Sequence, residues 1–281
     1  MKTIAIIGTG IMGAGMASNY LKRGYPVYVW NRGKDRLAPL LEQGAKEAQS
    51  PRDAAALADI VFDVTPDDAA SRSMWLGDDG ILAGARKKSV LVASGTFSIQ
   101  WVDELALICA QRRHIHFDIP LTGSRAGAEG GTMTLLVGGD KQRLDELRPD
   151  LEPISEKVHY FGPSGSGMRF KLILNMLQAI HVAGLGEALR IAKTCGMDMG
   201  AVGNALADRP GGVATNMAWR AYQNPPDQTN FSVKWITKDL HYAKDFSGSL
   251  STPLLDAILS RFDEAVRRNL GESDWTAVNK S

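Results

Sequence analysis

Near the start of the chain, a short run of β-forming residues leads directly into a GxGxxG turn: Thr3-Ile4-Ala5-Ile6-Ile7-Gly8-Thr9-Gly10-Ile11-Met12-Gly13. A helical segment follows at residues 14–23 and ends at Gly24. In this arrangement the first glycine permits a tight turn, the second lets the backbone approach a pyrophosphate, and the third lets helix and strand pack closely. The alternative is a chance glycine turn. We predict a dinucleotide site at Gly8, Gly10, Ile11, Met12 and Gly13.

Segments typical of strands and helices continue to alternate along the first half of the chain. Further strands are predicted at residues 26–30, 60–64, 89–93, 116–119, 133–137 and 158–161, and helices at 99–112 and 141–151. This alternation predicts an α/β fold with a Rossmann-type, doubly wound sheet. The sequence Gly162-Pro163-Ser164-Gly165 then breaks the pattern, and the remainder is typical of helices. We predict a Rossmann domain over residues 1–162 and an all-α domain over residues 163–281.

The composition argues against several classes of protein. Among 281 residues, 32 Lys and Arg balance 31 Asp and Glu, so the net charge of +1 would attract neither nucleic acid nor an anionic membrane. Cys109 and Cys195 lack a paired spacing, so neither a disulfide framework nor a metal site is predicted. The first apolar run is too short for a signal sequence, and no membrane span is expected. We expect a cytoplasmic protein that acts on a small molecule.

The residues after the second predicted strand indicate which dinucleotide binds. An NAD enzyme carries Asp or Glu there, where the carboxylate binds the ribose 2′-hydroxyl. This chain has Asn31-Arg32 instead, with Arg36 nearby, and the Arg32 guanidinium could hold a 2′-phosphate. The alternative is an arginine that is simply solvated at a strand end. We predict NADP (NADPH) as the cofactor.

The loops after the next two strands are predicted to contact the cofactor through Thr65, Pro66 and Thr96. For Pro66, a purely structural turn is nearly as good an interpretation.

A second glycine-rich stretch, at residues 118–134, follows a predicted strand without an obvious helical continuation. Successive backbone amides at Thr122, Gly123 and Ser124 could form a nest for a carboxylate, and the hydroxyls add further hydrogen bonds. The alternative is a flexible loop. We predict that these three residues bind the substrate.

A long run without proline, residues 168–195, is predicted to be a helix that connects the two domains. At about 1.5 Å per residue it would extend roughly 40 Å. Lys171, Asn175 and Gln178 share one face of it, because they are four and three residues apart. An amine in apolar surroundings suits proton transfer, whereas the alternative is a lysine that extends into solvent near a helix start.

Taken in order, these motifs resemble those of the β-hydroxyacid dehydrogenase family, which includes 3-hydroxyisobutyrate dehydrogenases and glyoxylate/succinic semialdehyde reductases. The resemblance covers nearly the whole chain, from the cofactor motif at 8–13, through the substrate motif at 118–132 and the catalytic motif at 165–175, to the late signature Lys238-Asp239-Leu240. It implies a Rossmann domain, a long connecting helix, a helical second domain, and a homodimer or tetramer.

The resemblance also implies roles for individual residues. Lys171 would be the general acid and base, and Asn175 would orient the substrate. Thr122 and Gly123 would hold the substrate, and Lys238 would lie near cofactor and substrate. Thr122 stands where the family usually has serine, so its extra methyl group narrows the pocket and leaves the identity of the substrate open.

The implied reaction transfers a hydride between NADP and a small aldehyde acid or hydroxyacid, such as glyoxylate, succinic semialdehyde or 3-hydroxyisobutyrate. Residues 30–32 and 274–278 look most like the glyoxylate/succinic semialdehyde reductase branch. An imine reductase-like activity is one alternative, although such enzymes usually replace the lysine that is retained here as Lys171. The other alternative is a non-catalytic NADP-binding scaffold protein, against which Lys171 and Asn175 argue.

Overall fold

The fold was analysed in a computed structural model, which describes residues 1–208, 212–224, 226, 229 and 231–280. The chain divides into two compact units, Met1–Lys171 and Leu172–Ser281. The first unit is an α/β domain, and the named elements of the second are helical. The fold class predicted from the sequence is therefore confirmed.

The first unit, described over its full length, is built on a nine-stranded sheet. Its strands are β1 (Ile4–Ile7), β2 (Val27–Trp30), β3 (Lys46–Glu47), β4 (Ile60–Asp63), β5 (Val90–Ala93), β6 (Ile115–Asp118), β7 (Leu121–Thr122), β8 (Met133–Gly138) and β9 (Ser155–Gly162). Six strands run parallel in the order β3-β2-β1-β4-β5-β6. β8 pairs with β6 and β7 in antiparallel fashion and with β9 in parallel. The parallel strands therefore end at one common edge.

Helices connect these strands and cover the sheet. Those of the first unit are α1 (Ile11–Lys22), α2 (Ala38–Glu42), α3 (Pro51–Leu57), α4 (Asp68–Trp75), α5 (Ile81–Gly84), α6 (Ile99–Gln111), α7 (Ser124–Gly130), α8 (Lys141–Leu151) and the first turns of α9 (Ser166–Thr194). Short polar side chains start several of them, as when Ser98 accepts a hydrogen bond from the backbone N–H of Trp101. Every residue of β1 and β4 is buried, as expected for central parallel strands covered on both faces.

Helix α7 corrects the expectation that residues 118–134 lack a helix. Its sequence, Ser124-Arg125-Ala126-Gly127-Ala128-Glu129-Gly130, has weak intrinsic helix propensity because two of its seven residues are glycine. Packing against α1 stabilises it. Asn19 donates its side-chain amide to the carbonyl oxygen of Ala128 at 2.7 Å, and a Cβ atom added at Gly15 would lie 2.6 Å from that oxygen. Tertiary contact has therefore overridden local propensity.

The buried carboxylate of Asp118, at the end of β6, fixes the start of α9. Its two oxygens accept the backbone N–H groups of Gly165 at 2.6 Å and Met168 at 2.7 Å. The first turn also packs closely on the sheet, since a Cβ atom added at Gly167 would lie 2.9 Å from the carbonyl oxygen of Asp118. These contacts place the division between the compact units at Lys171, inside α9. The functional domain boundary near residue 162 stays a prediction.

Helix α9 is a single 29-residue helix, which is about 44 Å long at the usual rise. By length and composition alone it could cross a membrane, which was not expected from the sequence. Of the residues in its most apolar window, 44% are buried inside the protein, and core helices of soluble proteins pass the same test. Its apolar character therefore does not distinguish a membrane span from a core helix.

The second unit adds α10 (Met199–Asp208), α11 (Val213–Gln223), α12 (Val233–Ser247) and α13 (Pro253–Arg267) to the remainder of α9. Within its described residues, the only β contact is an isolated bridge between Ser232 and Asp274. The chain end is tied to α9, because Asn279 donates its side-chain amide to the carbonyl oxygen of Val182 at 2.9 Å. The helices predicted after residue 162 are confirmed in this part of the chain.

Replacing Asp118 with asparagine should lower the free energy of unfolding by about 1–3 kcal/mol, because one of two acceptors for buried N–H groups is lost. Burial raises the pKa of Asp118 from 3.8 to about 7, against the opposing effect of the Gly165 and Met168 N–H groups. Between these two pKa values Asp118 holds more protons in the folded state than in the unfolded state, so its contribution to stability falls as pH rises. The stability advantage of the unmutated protein over Asp118→Asn, measured by urea denaturation, should therefore shrink from about pH 4 to about pH 7. An advantage that grows over this range would show that the N–H donors keep the carboxylate ionised.

Candidate cofactor and active site

The GxGxxG turn lies at the carboxyl end of β1 and leads into α1. Gly8 has a φ of +96°, and a Cβ atom there would lie 2.8 Å from the carbonyl oxygen of Val64, so the turn requires glycine. Gly13 packs against the Gly8 backbone too closely for a side chain. Gly10 precedes the 12-residue α1 and offers no side-chain cap, which leaves the first N–H groups of the helix available to a phosphate.

Three buried hydroxyls lie at the carboxyl ends of neighbouring strands. Thr9 follows β1, Thr65 follows β4 and Ser94 follows β5, and none of their side-chain oxygens has a hydrogen-bond partner among the described residues. Buried hydroxyls usually have partners, since leaving one unpaired costs about 1–3 kcal/mol. Their position along one edge fits a polar ligand that runs across β1, β4 and β5. The residues present therefore fit a dinucleotide. Ser94 is added to the residues that we expect to contact the cofactor.

The side chain of Asn31 has a structural role that the sequence did not indicate. Its oxygen accepts the backbone N–H of Thr9 at 3.0 Å, and its nitrogen donates to the carbonyl oxygen of Gly33 at 2.8 Å. Asn31 therefore ties the loop after β2 to the glycine turn. Arg32 is exposed, whereas the guanidinium of Arg36 lies 4.0 Å from the position of a Cβ atom at Gly10. Of these two arginines, Arg36 is the one whose side chain reaches the glycine turn.

The loop after β4 is shaped by Asp63, which was not identified from the sequence. Its buried carboxylate accepts hydrogen bonds from Thr65 N at 3.0 Å, Ser71 Oγ at 2.6 Å and Trp75 Nε1 at 2.7 Å, and burial raises its pKa. The sequence feature that could have identified Asp63 is an acidic residue at the end of an otherwise apolar strand. In the same loop Pro66 is exposed. Thr96 is half-buried in the loop after β5.

The predicted substrate-binding residues lie between β7 and α7. Gly123 and Ser124 have φ angles of +139° and +59°, two consecutive residues in the region that favours glycine. A non-glycine residue such as Ser124 is strained there by about 1–3 kcal/mol, and such strain is concentrated at functional sites. Thr122 is half-buried, while Gly123 and Ser124 are exposed. The three predicted residues therefore form one turn, and their role in substrate binding stays a prediction.

Lys171 and Asn175 lie one turn apart on α9, as their spacing predicted. Lys171 is half-buried and belongs to the first unit, three residues after the Met168 amide that Asp118 holds. Asp118 ends β6 at the same sheet edge as the three buried hydroxyls. The position of Lys171 in the first unit is therefore tied to the candidate cofactor edge.

In the second unit, the buried residues Asn175 and Asp239 form a polar cluster with the half-buried Lys238. The Asn175 amide nitrogen donates to Asp239 Oδ2 at 2.7 Å, and both residues are at most 2% exposed. Lys238 Nζ lies 2.7 Å from Asp239 Oδ1 and 4.7 Å from the centre of the Tyr242 ring. No role was predicted for Asp239, although it stands beside Lys238 in the late signature. It orients the amide of Asn175.

The parallel sheet, the glycine turn and the buried hydroxyls are typical of a Rossmann domain that binds a dinucleotide. Residues 3–162 match the NAD binding domain of 6-phosphogluconate dehydrogenase, and residues 165–281 match the NAD-binding region of NADP-dependent 3-hydroxyisobutyrate dehydrogenase. Together these matches cover almost the whole chain. The chain belongs to the β-hydroxyacid dehydrogenase family, and it is an enzyme of the hydroxyacid dehydrogenase class.

Individual relatives agree with this family. The NAD-dependent L-serine dehydrogenase of Pseudomonas aeruginosa is 30% identical over 293 aligned positions, which cover 100% of this chain and 97% of the relative. The 3-hydroxyisobutyrate dehydrogenase of the same organism is 31% identical and covers 90% of this chain and 89% of its own. The structure of the Mycobacterium tuberculosis 3-hydroxyisobutyrate dehydrogenase with L-serine superposes with a TM-score of 0.87 at 26% identity, covering 100% of this chain and 98% of that one.

The Asn175–Asp239 hydrogen bond should contribute to the stability of the second unit. In a double-mutant cycle of Asn175→Ala and Asp239→Ala, we expect a coupling free energy of about 1–3 kcal/mol, because the bond is buried and one partner is charged. Urea denaturation of the four proteins measures it. The exposed pair Lys234–Glu272, with its 3.6 Å separation, is the matched control and should couple by less than about 1 kcal/mol. Additive effects at Asn175 and Asp239 would contradict the prediction.

Proposed function

We propose that the protein is an NADPH-dependent reductase of small aldehyde acids, acting in reverse as a hydroxyacid dehydrogenase, with Lys171 as the general acid and base. The observation that carries the proposal is the anchoring of the α9 start by Asp118, because it ties Lys171 to the sheet edge of Thr9, Thr65 and Ser94. The buried hydroxyls of these three residues have no hydrogen-bond partner within the described part of the chain. Family membership supports it independently.

The cofactor would be held by groups along this edge. The glycine turn and the first N–H groups of α1 would bind the pyrophosphate, and the buried hydroxyls would contact the nicotinamide half. The bound nicotinamide supplies the hydride in reduction and accepts it in oxidation. Arg36, together with Arg32, would bind the 2′-phosphate of NADP, since no carboxylate follows β2 directly to bind a free 2′-hydroxyl.

Lys171 would provide the proton. As a carbonyl is reduced, negative charge develops on its oxygen, and an ammonium group within hydrogen-bonding distance both stabilises that charge and delivers a proton. Asn175 cannot supply a proton at neutral pH, and one of its N–H groups is already given to Asp239. Its carbonyl oxygen and its second N–H can still orient a substrate. The division of roles is therefore proton transfer at Lys171 and orientation at Asn175.

The substrate would carry a carboxylate close to the reacting carbon. The backbone amides at Thr122, Gly123 and Ser124 would hold that carboxylate, and the extra methyl group of Thr122 favours a short acid. Two relatives are named for 3-hydroxyisobutyrate or L-serine, and both compounds are small acids with a hydroxyl group on the third carbon. Glyoxylate, succinic semialdehyde and the aldehyde of 3-hydroxyisobutyrate are the candidates to assay first.

The second unit would mediate self-association into a homodimer or tetramer. Support comes from large apolar side chains that are exposed in the single chain, among them Ile191 at 65%, Leu250 at 68% and Leu254 at 68%. Contact with a second copy would remove such surface from water.

NADPH should be preferred over NADH. Arg36→Ala should raise the Michaelis constant for NADPH by roughly tenfold with little effect on NADH, because a charge-assisted contact to the 2′-phosphate is lost. Arg32→Glu should reverse the preference by adding repulsion. Initial rates at varied cofactor concentration measure both, with Lys46→Ala on β3 as a control that removes an exposed charge elsewhere. Equal Michaelis constants for the two cofactors in the unmutated protein would refute the preference.

Lys171→Ala should reduce kcat for aldehyde reduction by about a hundredfold to ten-thousandfold, because the general acid is lost. The affinity for NADPH, followed by its fluorescence, should change by only a few-fold. Lys193→Ala, an exposed lysine near the other end of α9, is the matched control and should retain full activity. If Lys171→Ala keeps activity within a few-fold of the parent at saturating substrates, Lys171 is not the general acid.

A further inference from the structure

A cavity of the first unit lies at the amino ends of the strands, opposite the candidate cofactor edge. It has a volume of about 420 Å³. Its apolar lining residues are Val90 and Ile115, the first residues of the paired strands β5 and β6, and Leu147 of α8. Because β5 runs parallel to β6, these residues lie at the end of each strand away from Ser94 and Asp118. The cavity is therefore separate from the glycine turn.

Basic side chains surround this cavity. Among its lining residues, all of which the structure describes, a single carboxylate, Glu146, faces five cations, which are Lys2, Lys87, Lys88, Arg113 and Arg143. Two of the cations already have partners, since Lys2 lies 2.6 Å from Asp150 and Arg143 lies 3.0 Å from Glu146. The chain as a whole has a net charge of only +1, so this is a local concentration of positive charge.

Lys88 and Arg113 have no ion-pair partner in the part of the chain that the structure describes, and Lys87 donates to the carbonyl oxygen of Arg112 at 2.9 Å. Arg113 has a φ of +56°, at a helix end where glycine is the usual residue. Burial lowers the pKa of the neighbouring His114, and the positive charges of Lys87 and Arg112 lower it further. Three cationic groups are therefore left for an external anion.

From this geometry we infer that the cavity is a second ligand site, which binds a small phosphorylated metabolite whose organic part rests on Val90, Ile115 and Leu147. Guanidinium and ammonium groups are the usual ligands of phosphate, and Arg113 and Lys88 supply one of each kind. The volume lies within the range of small-molecule sites. Because both apolar and basic side chains line the cavity, an anion that has an organic body is favoured over free phosphate.

ADP is a suitable probe, and it should be titrated by calorimetry into the protein already saturated with NADPH, so that the glycine turn is occupied. We expect one additional site, with affinity that falls as ionic strength rises. Lys88→Ala and Arg113→Ala should each weaken ADP binding by roughly tenfold, and the double variant by roughly a hundredfold. Pyrophosphate should bind more weakly than ADP, and adenosine should bind least.

Lys157→Ala on β9 is the matched control, since it removes one exposed charge without touching the cavity, and it should leave ADP binding unchanged. Thermal melting and NADPH titration verify that each variant is folded. The inference is overturned if ADP does not bind to the NADPH-saturated protein, or if Lys88→Ala and Arg113→Ala bind ADP as tightly as the control. Adenosine binding as tightly as ADP would overturn it as well.

Discussion

The structure depends most on one buried carboxylate, that of Asp118, where the sheet meets α9. A carboxylate is costly to bury, but here it offers two oxygens to two backbone N–H groups that would otherwise be unsatisfied at the start of a long helix. The same contact sets where the helix begins, and hence the position of every residue on its first turns. Lys171 is positioned in this way, by a side chain more than 50 residues earlier in the sequence.

The architecture could be predicted from the sequence because its signals are local. The GxGxxG turn between a β-forming run and a helical run, and the alternation that follows, require only short-range patterns. Helix α7 could not be predicted in this way, because its glycines argue against a helix and its stability comes from α1. The short strands β3 and β7 were missed for a related reason, since two residues are too few to show an alternating pattern.

Motif spacing located the candidate site, but it did not show what each polar side chain contacts. Asn31 was assigned to the cofactor, yet its amide is used at both ends by the backbone. Asn175 was assigned to the substrate, and its partner Asp239 is 64 residues away in sequence, a contact that no local pattern reveals. Arg36, rather than Arg32, reaches the glycine turn because the loop after β2 folds back through a short 3-10 turn at Lys34–Arg36. Only the three-dimensional structure shows that the buried hydroxyl of Ser94 has no hydrogen-bond partner among the residues it describes.

The contact between Asn19 and Ala128 has a consequence for how the two ligands bind. It joins α1, whose first turn would bind the pyrophosphate, to α7, which begins at the turn that would hold the acid. If a bound dinucleotide restricted the motion of α1, this contact would restrict α7 as well, and the acid would then lose less conformational freedom on binding. Such heterotropic linkage acts equally in both directions. Each ligand would therefore raise the affinity of the other, whichever of the two binds first.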